Sequence, residues 1–251
     1  DAVKHISEGF IKEFLDEVRN VYGQDFYSVG EYWKDDLGAL KEYLDSLEYK
    51  TDLFDVGLHF NFHEASVRGK DFDLRTIFDN TVLMSDSMQS VSFVDNHDSQ
   101  KGSALESQIE SWFKPHAYAI ILLAEKGYPC LFYGDYYGVG GQESEHRWII
   151  EQLLHVRKHY AYGGEIDYFD DPNLVGIYRT GKENELNTGC VAILSNNEDG
   201  EKVIEVGQNR TGQVWKEVTG SGFDNVVIDD SGFAAFKVKA GKISVWVPEE
   251  K

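Results

Sequence analysis

Residues that cross-link or stiffen a chain are scarce: the 251 residues include two cysteines and four prolines. Cys130 and Cys190 fall in different parts of the chain, on either side of a division near residue 162. They are read as buried, unpaired thiols rather than a disulfide, which points to a reducing compartment. Positive charge is scarce as well, since 24 Lys+Arg against 44 Asp+Glu leave a formal net charge of −20. Such a surface repels phosphate backbones and anionic lipid, so no nucleic-acid or membrane partner is expected, while a neutral ligand such as a sugar is compatible. No run of about 18 apolar residues occurs, so no transmembrane helix is expected. No secretory leader is visible.

What is present is a hydrophobic fraction of 41% and an aromatic fraction of 14%, enough for a substantial core. Two textures divide the chain near Tyr162-Gly163-Gly164. Residues 1–162 alternate helical stripes with short apolar runs. Ile6, Phe10, Ile11, Phe14, Leu15 and Val18 repeat at helical spacing, and so do Leu37, Leu40, Tyr43, Leu44 and Leu47. Strands are expected at 26–30, 53–62, 91–94 and 130–133, with helices over 108–126, where Pro115 marks a break or a fresh start, and 146–160. One β-α-β step takes about 30 residues, and this order repeats it without reversal. The pattern predicts half of an eight-fold barrel or of a doubly wound sheet. Residues 163–251 read as short strands at 174–178, 190–195, 202–206, 214–218, 225–228, 233–238 and 243–247, separated by Gly- and Asp-rich turns. That texture predicts an antiparallel sandwich.

In a parallel barrel, functional groups gather at the C-terminal ends of strands. Asp1 precedes the first helix, Glu31 ends a strand candidate and Asp98 follows another. The spacings, 30 residues from Asp1 to Glu31 and 67 from Glu31 to Asp98, are about one and two strand-helix units. Three acids at one mouth are what glycosidic cleavage needs: one carboxylic acid to protonate the leaving oxygen, and a carboxylate to attack the anomeric carbon or activate water. Alone this is a weak signal in a chain with 44 acids.

The wording around these acids is more specific. Asp1-Ala2-Val3-Lys4-His5, Val29-Gly30-Glu31-Tyr32-Trp33 and Phe93-Val94-Asp95-Asn96-His97-Asp98 resemble, in order and spacing, three sequence regions of the α-amylase family of glycoside hydrolases. Gly127-Tyr128-Pro129 through Phe132-Tyr133-Gly134-Asp135 looks like that family's eighth barrel strand, and His155-Val156-Arg157-Lys158 like its last barrel helix. The resemblance covers nearly the whole chain and is greatest to bacterial liquefying and cytoplasmic-type members. It implies the second half of a (β/α)8 TIM barrel, from the end of strand four to helix eight, over residues 1–162, and a Greek-key antiparallel β-sandwich over residues 163–251. It implies Asp1 as nucleophile, Glu31 as general acid/base, and Asp98 as the third carboxylate, which steadies the transition state. It implies His97 as a sugar contact, Lys4 and His5 as contacts on the leaving-group side, and Tyr32 and Trp33 as an aromatic wall. The His5 backbone carbonyl is implied as a ligand of a structural calcium. Some members carry a further calcium where barrel meets sandwich, but Pro172 and Asn173 depart from the residue types expected there.

The implied activity is endo-acting, retaining hydrolysis of α-1,4-glucosidic bonds in starch, glycogen or maltooligosaccharides by a monomeric, cytoplasmic protein, with secretion as the alternative. The chain starts within the active site, so the first half of the barrel is expected to lie outside it, and the 251 residues are expected to be inactive alone. Rival readings are another enzyme of the same family (a maltogenic amylase, a transglycosylase or an α-1,6-glucosidase) and a non-catalytic interaction subunit, against which the three retained acids argue. Asp95 is read as structural. His59 and His63 are read as lying on a strand-to-loop segment, without the shared helical face that zinc ligation at that spacing uses. Trp215 and Trp246 are read as core.

Overall fold

The computed structural model describes residues 1–249. The first part is built on four short parallel strands in the order β1-β2-β3-β4: β1 (Val29–Gly30), β2 (Asp52–Phe54), β3 (Ser90–Phe93) and β4 (Tyr128–Cys130). Around them lie α1 (Glu8–Tyr22), α2 (Leu37–Ser46), α3 (Val56–Arg68), α4 (Val82–Ser85), α5 (Lys114–Leu123), α6 (Tyr133–Tyr137) and α7 (Arg147–His159). This is the uninterrupted β-α succession the sequence predicts, with two local differences. The apolar run 53–62 is not one strand. Chain direction changes at Asp55, whose fully buried carboxylate caps α3 by accepting from Leu58 N at 3.2 Å. The same carboxylate accepts from Val82 N at 3.2 Å, Leu83 N at 2.7 Å and Ser90 Oγ at 3.0 Å. Leu58, Phe62 and Ala65 then line one helical face, which a continuous apolar run conceals. The last barrel strand likewise ends at Cys130, and Tyr133 already begins α6.

His59 and His63 lie on one helix, α3, and not on a strand-to-loop segment, because the chain turns at Asp55. His59 is fully buried, with Nδ1 on Val94 O at 2.7 Å and Nε2 on Ser107 Oγ at 2.9 Å, so both ring nitrogens are taken.

The second part comprises eight antiparallel strands: β5 (Glu165–Asp171), β6 (Leu174–Arg179), β7 (Cys190–Ser195), β8 (Gly200–Glu205), β9 (Val214–Glu217), β10 (Val226–Val227), β11 (Phe233–Val238) and β12 (Ile243–Pro248). Six form one sheet in the order β10-β9-β12-β7-β6-β5, while β8 and β11 pair separately. The chain leaves the larger sheet after β7, returns at β9, leaves again for β11, and re-enters with β12 between β7 and β9. Strand β5 was not expected from sequence. It is an edge strand rich in acids, and its hairpin to β6 closes where Asp171 Oδ1 accepts from Asn173 N at 2.8 Å.

Strands β7 and β12 are buried at every position because the large sheet is covered on both faces. Cys190, Ala192 and Leu194 face a core shared with α3, α5 and α7. Val191 and Ile193 face the other way, onto Ile204, Phe236, Trp215 and Trp246. Both tryptophans are fully buried, as read from sequence. Cys130 and Cys190 are free thiols, and burial pushes Cys190 up to about 12, leaving it protonated and unreactive.

Helix α5 joins the two parts. Every residue but Pro115 is buried, as expected of a helix that is apolar around its circumference. Its last carbonyls are satisfied by arginines: Arg157 Nη1 donates to Leu122 O at 2.6 Å and Arg179 Nη1 to Leu123 O at 2.9 Å. His116 Nε2 meets Ser195 O of β7 at 3.0 Å. At the same seam Asn196 Nδ2 donates to Gly69 O at 2.9 Å and Phe72 O at 2.8 Å. Asn173 Nδ2 donates to Lys70 O and to Asn196 Oδ1, both at 2.8 Å. These side-chain amides tie the β5–β6 and β7 ends to the loop after α3.

Helix α1 forms as its spacing predicts, but Phe10, Phe14, Val21 and Tyr22 are exposed, and Leu15 is its one buried residue.

Burial pushes both His59 and His116 down to about 4 from 6.5. Histidines held neutral stabilise the fold above pH 6.5, and that contribution is lost as pH falls toward 4, because only the unfolded chain binds the protons. Asp95 opposes this, since its carboxyl, raised to about 6 by burial, binds a proton in the folded state first. The two histidines should therefore lower stability as pH falls from 6 toward 4, with the raised carboxyls of Asp95 and Asp55 offsetting part of that loss. Replacing His116 by Gln should lower the urea midpoint at pH 7 yet flatten its decline between pH 6 and 4. Urea titrations at several pH values check this.

Candidate active site

The three acids picked out by sequence lie beyond the C-terminal ends of the parallel strands. Glu31 follows β1 directly and Asp98 follows β3 by five residues. Asp1 is placed by its neighbours. Val3 N donates to Glu31 O at 3.0 Å and Ala2 N to Glu31 Oε2 at 2.9 Å, so the opening segment lies along the end of β1. Gly30 permits that approach, since a Cβ there would stand 3.3 Å from both Val3 and Leu53 side chains. Ala2 adopts φ 50°, a left-handed conformation that costs a non-glycine residue about 1–2 kcal/mol.

Glu31 is 7% exposed, and its second oxygen, Oε1, receives Asn96 Nδ2 at 3.4 Å. Asn96 therefore links two of the acids, because its Oδ1 accepts from Asp98 N at 2.9 Å and Ser99 N at 2.8 Å. Asp98 and His97 are open to solvent and pair with each other at 3.5 Å. Lys4 Nζ donates to Trp33 O at 2.9 Å, while His5 is exposed. Tyr32 is half-buried, with its ring 4.9 Å from that of Tyr43. Trp33 is 8% exposed and packs among His59, Phe60 and Phe93, so most of its surface serves the core.

Beneath the acids lies a buried charge cluster that the sequence did not reveal beyond Asp95. Lys114 Nζ stands 2.9 Å from Asp95 Oδ2 and pairs with Asp135, and the Tyr118 hydroxyl donates to Asp135 Oδ2 at 2.6 Å. Burial draws the Lys114 ammonium down, but Asp135 and Asp95 outweigh it and hold its pKa above the usual lysine value. Burial lifts Asp95 to about 6, with Lys114 opposing and Asp135 reinforcing. The one available signal was a lysine in an otherwise apolar helix, 19 residues past Asp95. A cavity of about 960 Å³ opens beside this cluster, lined by Lys114, Asp135, Gln100, Glu143 and His146. The three acids do not line it.

The calcium implied by the resemblance has a poor donor set here. Calcium takes six to eight oxygens, of which the His5 carbonyl would be one. Among the described residues no group of three or more His, Cys, Asp or Glu gathers to hold a metal. Nor, among them, is any helix long and apolar enough to cross a membrane.

The Gly30 contact is testable. Gly30→Ala should push Val3 off β1 and raise the amide exchange rates of Ala2 and Val3 by about tenfold or more, as loss of roughly 1.4 kcal/mol of local protection implies. Hydrogen-exchange NMR reads both amides directly.

Comparison with known proteins accords with this geometry. The family model for the α-amylase catalytic domain matches residues 5–239, which include Glu31 and Asp98 but begin after Asp1. The α-amylase of Bacillus licheniformis is 41% identical over 251 residues, spanning 98% of this chain and 49% of that protein. The cytoplasmic α-amylase of Escherichia coli K12 is 42% identical, spanning 100% and 52%. The glucan 1,4-α-maltohexaosidase of Bacillus sp. strain 707 is 43% identical, spanning 98% and 48%. The chain thus covers about half the length of the curated relatives it matches. Among solved structures, the α-amylase from Geobacillus thermoleovorans complexed with acarbose superposes with TM-score 0.72 at 19% identity, covering 100% of this chain and 59% of that one. Truncated alternansucrase from Leuconostoc mesenteroides gives 0.71 at 16% identity, covering 99% and 33%, so the shared architecture extends well beyond similar sequences. This chain belongs to the α-amylase catalytic-domain family of glycoside hydrolases, as the second half of its barrel followed by its antiparallel β domain.

Proposed function

We propose that the chain supplies the acid/base half of a retaining, endo-acting α-1,4-glucan hydrolase that acts on starch, glycogen or maltooligosaccharides. The observation that carries this reading is Glu31, buried at a strand end and linked through Asn96 to Asp98, with the Asp1 segment bonded to it. Glu31 would protonate the glycosidic oxygen while Asp1 attacks the anomeric carbon. Water then resolves the glycosyl-enzyme with Glu31 as base. Asp98 and His97, open to solvent, suit contacts with sugar hydroxyls. Lys4 and His5 would contact the leaving-group sugar, with Tyr32 and Trp33 as an aromatic wall.

The rest of the barrel would cover the exposed face of α1, where Phe10, Phe14, Val21 and Tyr22 would otherwise remain in water. We further propose barrel residues 1–162 and β-domain residues 163–251 as the two domains, a monomer, and a cytoplasmic location, the last supported by the E. coli relative's designation. The family is generally calcium-dependent. A structural calcium using the His5 carbonyl would draw its remaining ligands from outside this chain, and no step above passes through it.

In the protein with its complete barrel, Glu31→Gln should lower kcat on a chromogenic maltooligosaccharide by about 10²- to 10⁴-fold, and Asp1→Asn at least as much. NMR should show the α-anomer as first product. The β-anomer, or wild-type turnover by the Glu31 variant, would sink the reading. The 251-residue chain assayed alone should release no chromophore.

A further inference from the structure

Two histidines four residues apart on a regular helix share one face, the arrangement by which a helix presents a pair of imidazoles to zinc. His59 and His63 have that spacing on α3, but their rings are engaged: His59 through both nitrogens, and His63 through Nδ1 on Gln108 O at 3.0 Å. His155 and His159 repeat the spacing in the last turns of α7. Both are exposed, and among the described residues neither ring enters a hydrogen bond or an ion pair. Their ring centres stand 4.5 Å apart. Two imidazoles bound cis to one ion at about 2.0–2.1 Å per bond hold their centres roughly 4.5–5 Å apart, so the two rings already stand at chelating distance.

The surroundings favour a cation. The pair sits at the C-terminal end of a 13-residue helix, the negative end of its dipole, in a chain of net charge −20. Of the two adjacent cations, Arg157 is turned inward to Leu122 O at 2.6 Å, and Lys158 is exposed, where water and salt screen it. The helix end is held in place: Tyr160 N donates to Val156 O at 2.8 Å, Ala161 N to the same oxygen at 3.0 Å, and the Tyr162 hydroxyl to Lys158 O. Gly189 N donates to Tyr160 O at 2.7 Å, which ties this end to the β domain.

We propose that His155 and His159 form a two-histidine site for a divalent transition metal, Cu²⁺, Ni²⁺ or Zn²⁺, with water completing the shell. Imidazole suits these ions, and Cu²⁺ most, while Ca²⁺ and Mg²⁺ prefer oxygen. The site is separate from the calcium considered above and does not depend on the role of Glu31. The two rings meet only while residues 155–159 are helical, so the metal binds the folded chain and staples the last turn of α7 where it leads into the β domain.

The test uses the untagged protein with its complete barrel, in excess Ca²⁺. Calorimetric titration with CuCl₂ or ZnCl₂ should show a binding event in wild type that His155→Gln and His159→Gln each weaken by about 100-fold, as loss of one arm of a chelate implies. Crystals soaked in ZnCl₂ should show an anomalous peak about 2.0–2.1 Å from one nitrogen of each ring. Both side chains are exposed, so without metal the variants should melt at the wild-type temperature. Should a variant fail to fold, the wild-type anomalous map decides alone. Wild-type affinity in either folded variant overturns the proposal, and so does a map with no peak or with a peak on one ring only. A peak in the crystal without a solution event that the variants weaken means binding at crystal concentration only, and overturns it as well.

Discussion

One ammonium group organises the end of this chain where its parallel strands terminate. Lys114 Nζ lies between the carboxylates of Asp95 and Asp135, all three buried. Removing three charges from water is costly, and the arrangement persists because the remaining polar atoms are also used: Ser99 on Asp95 and Tyr118 on Asp135. Asp95 comes from the loop after β3, Asp135 from α6 just after β4, and the lysine from the first turn of α5. The cluster therefore fixes one loop and two helices relative to one another, at the depth where the strands end.

Helix α5 carries that constraint to the rest of the molecule. Its N-terminal turn holds the charge cluster, its middle packs in the main core, and its last carbonyls accept from Arg157 and Arg179. His116 and the Asn173–Asn196 amides bring the antiparallel sheet against the same region. The barrel portion and the β domain consequently share one continuous core, in which Leu194 and Val245 contribute to the same cluster as Phe62 and Leu153. A neutral His116 in that core makes the seam sensitive to acid.

Much of the fold was legible because it depends on local periodicity. Leu40, Tyr43, Leu44 and Leu47 mark α2 by spacing alone, and β7 and β12 are continuous apolar runs bounded by turns. The misreadings share a cause. Residues 53–62 are apolar whether they form a strand or a buried helix, and the break is set by four donors converging on Asp55, three of them from residues 82, 83 and 90. Strand β5 is polar because it is an edge, and only its pairing with β6 makes it a strand.

The site divides in the same way. The sequence by itself determined which acids stand at strand ends, since Asp1, Glu31 and Asp98 sit in motifs whose order and spacing are a one-dimensional property. Only the tertiary structure decided how they are held. Asn96 reaches Glu31 across 65 residues, Lys114 reaches Asp95 and Asp135 from a helix, and Trp33 turns most of its ring into the core. Hydrogen-bond direction and buried charge depend on which groups meet after folding. Sequence spacing carries the period of an element, whereas desolvation and pairing arise from contacts between elements.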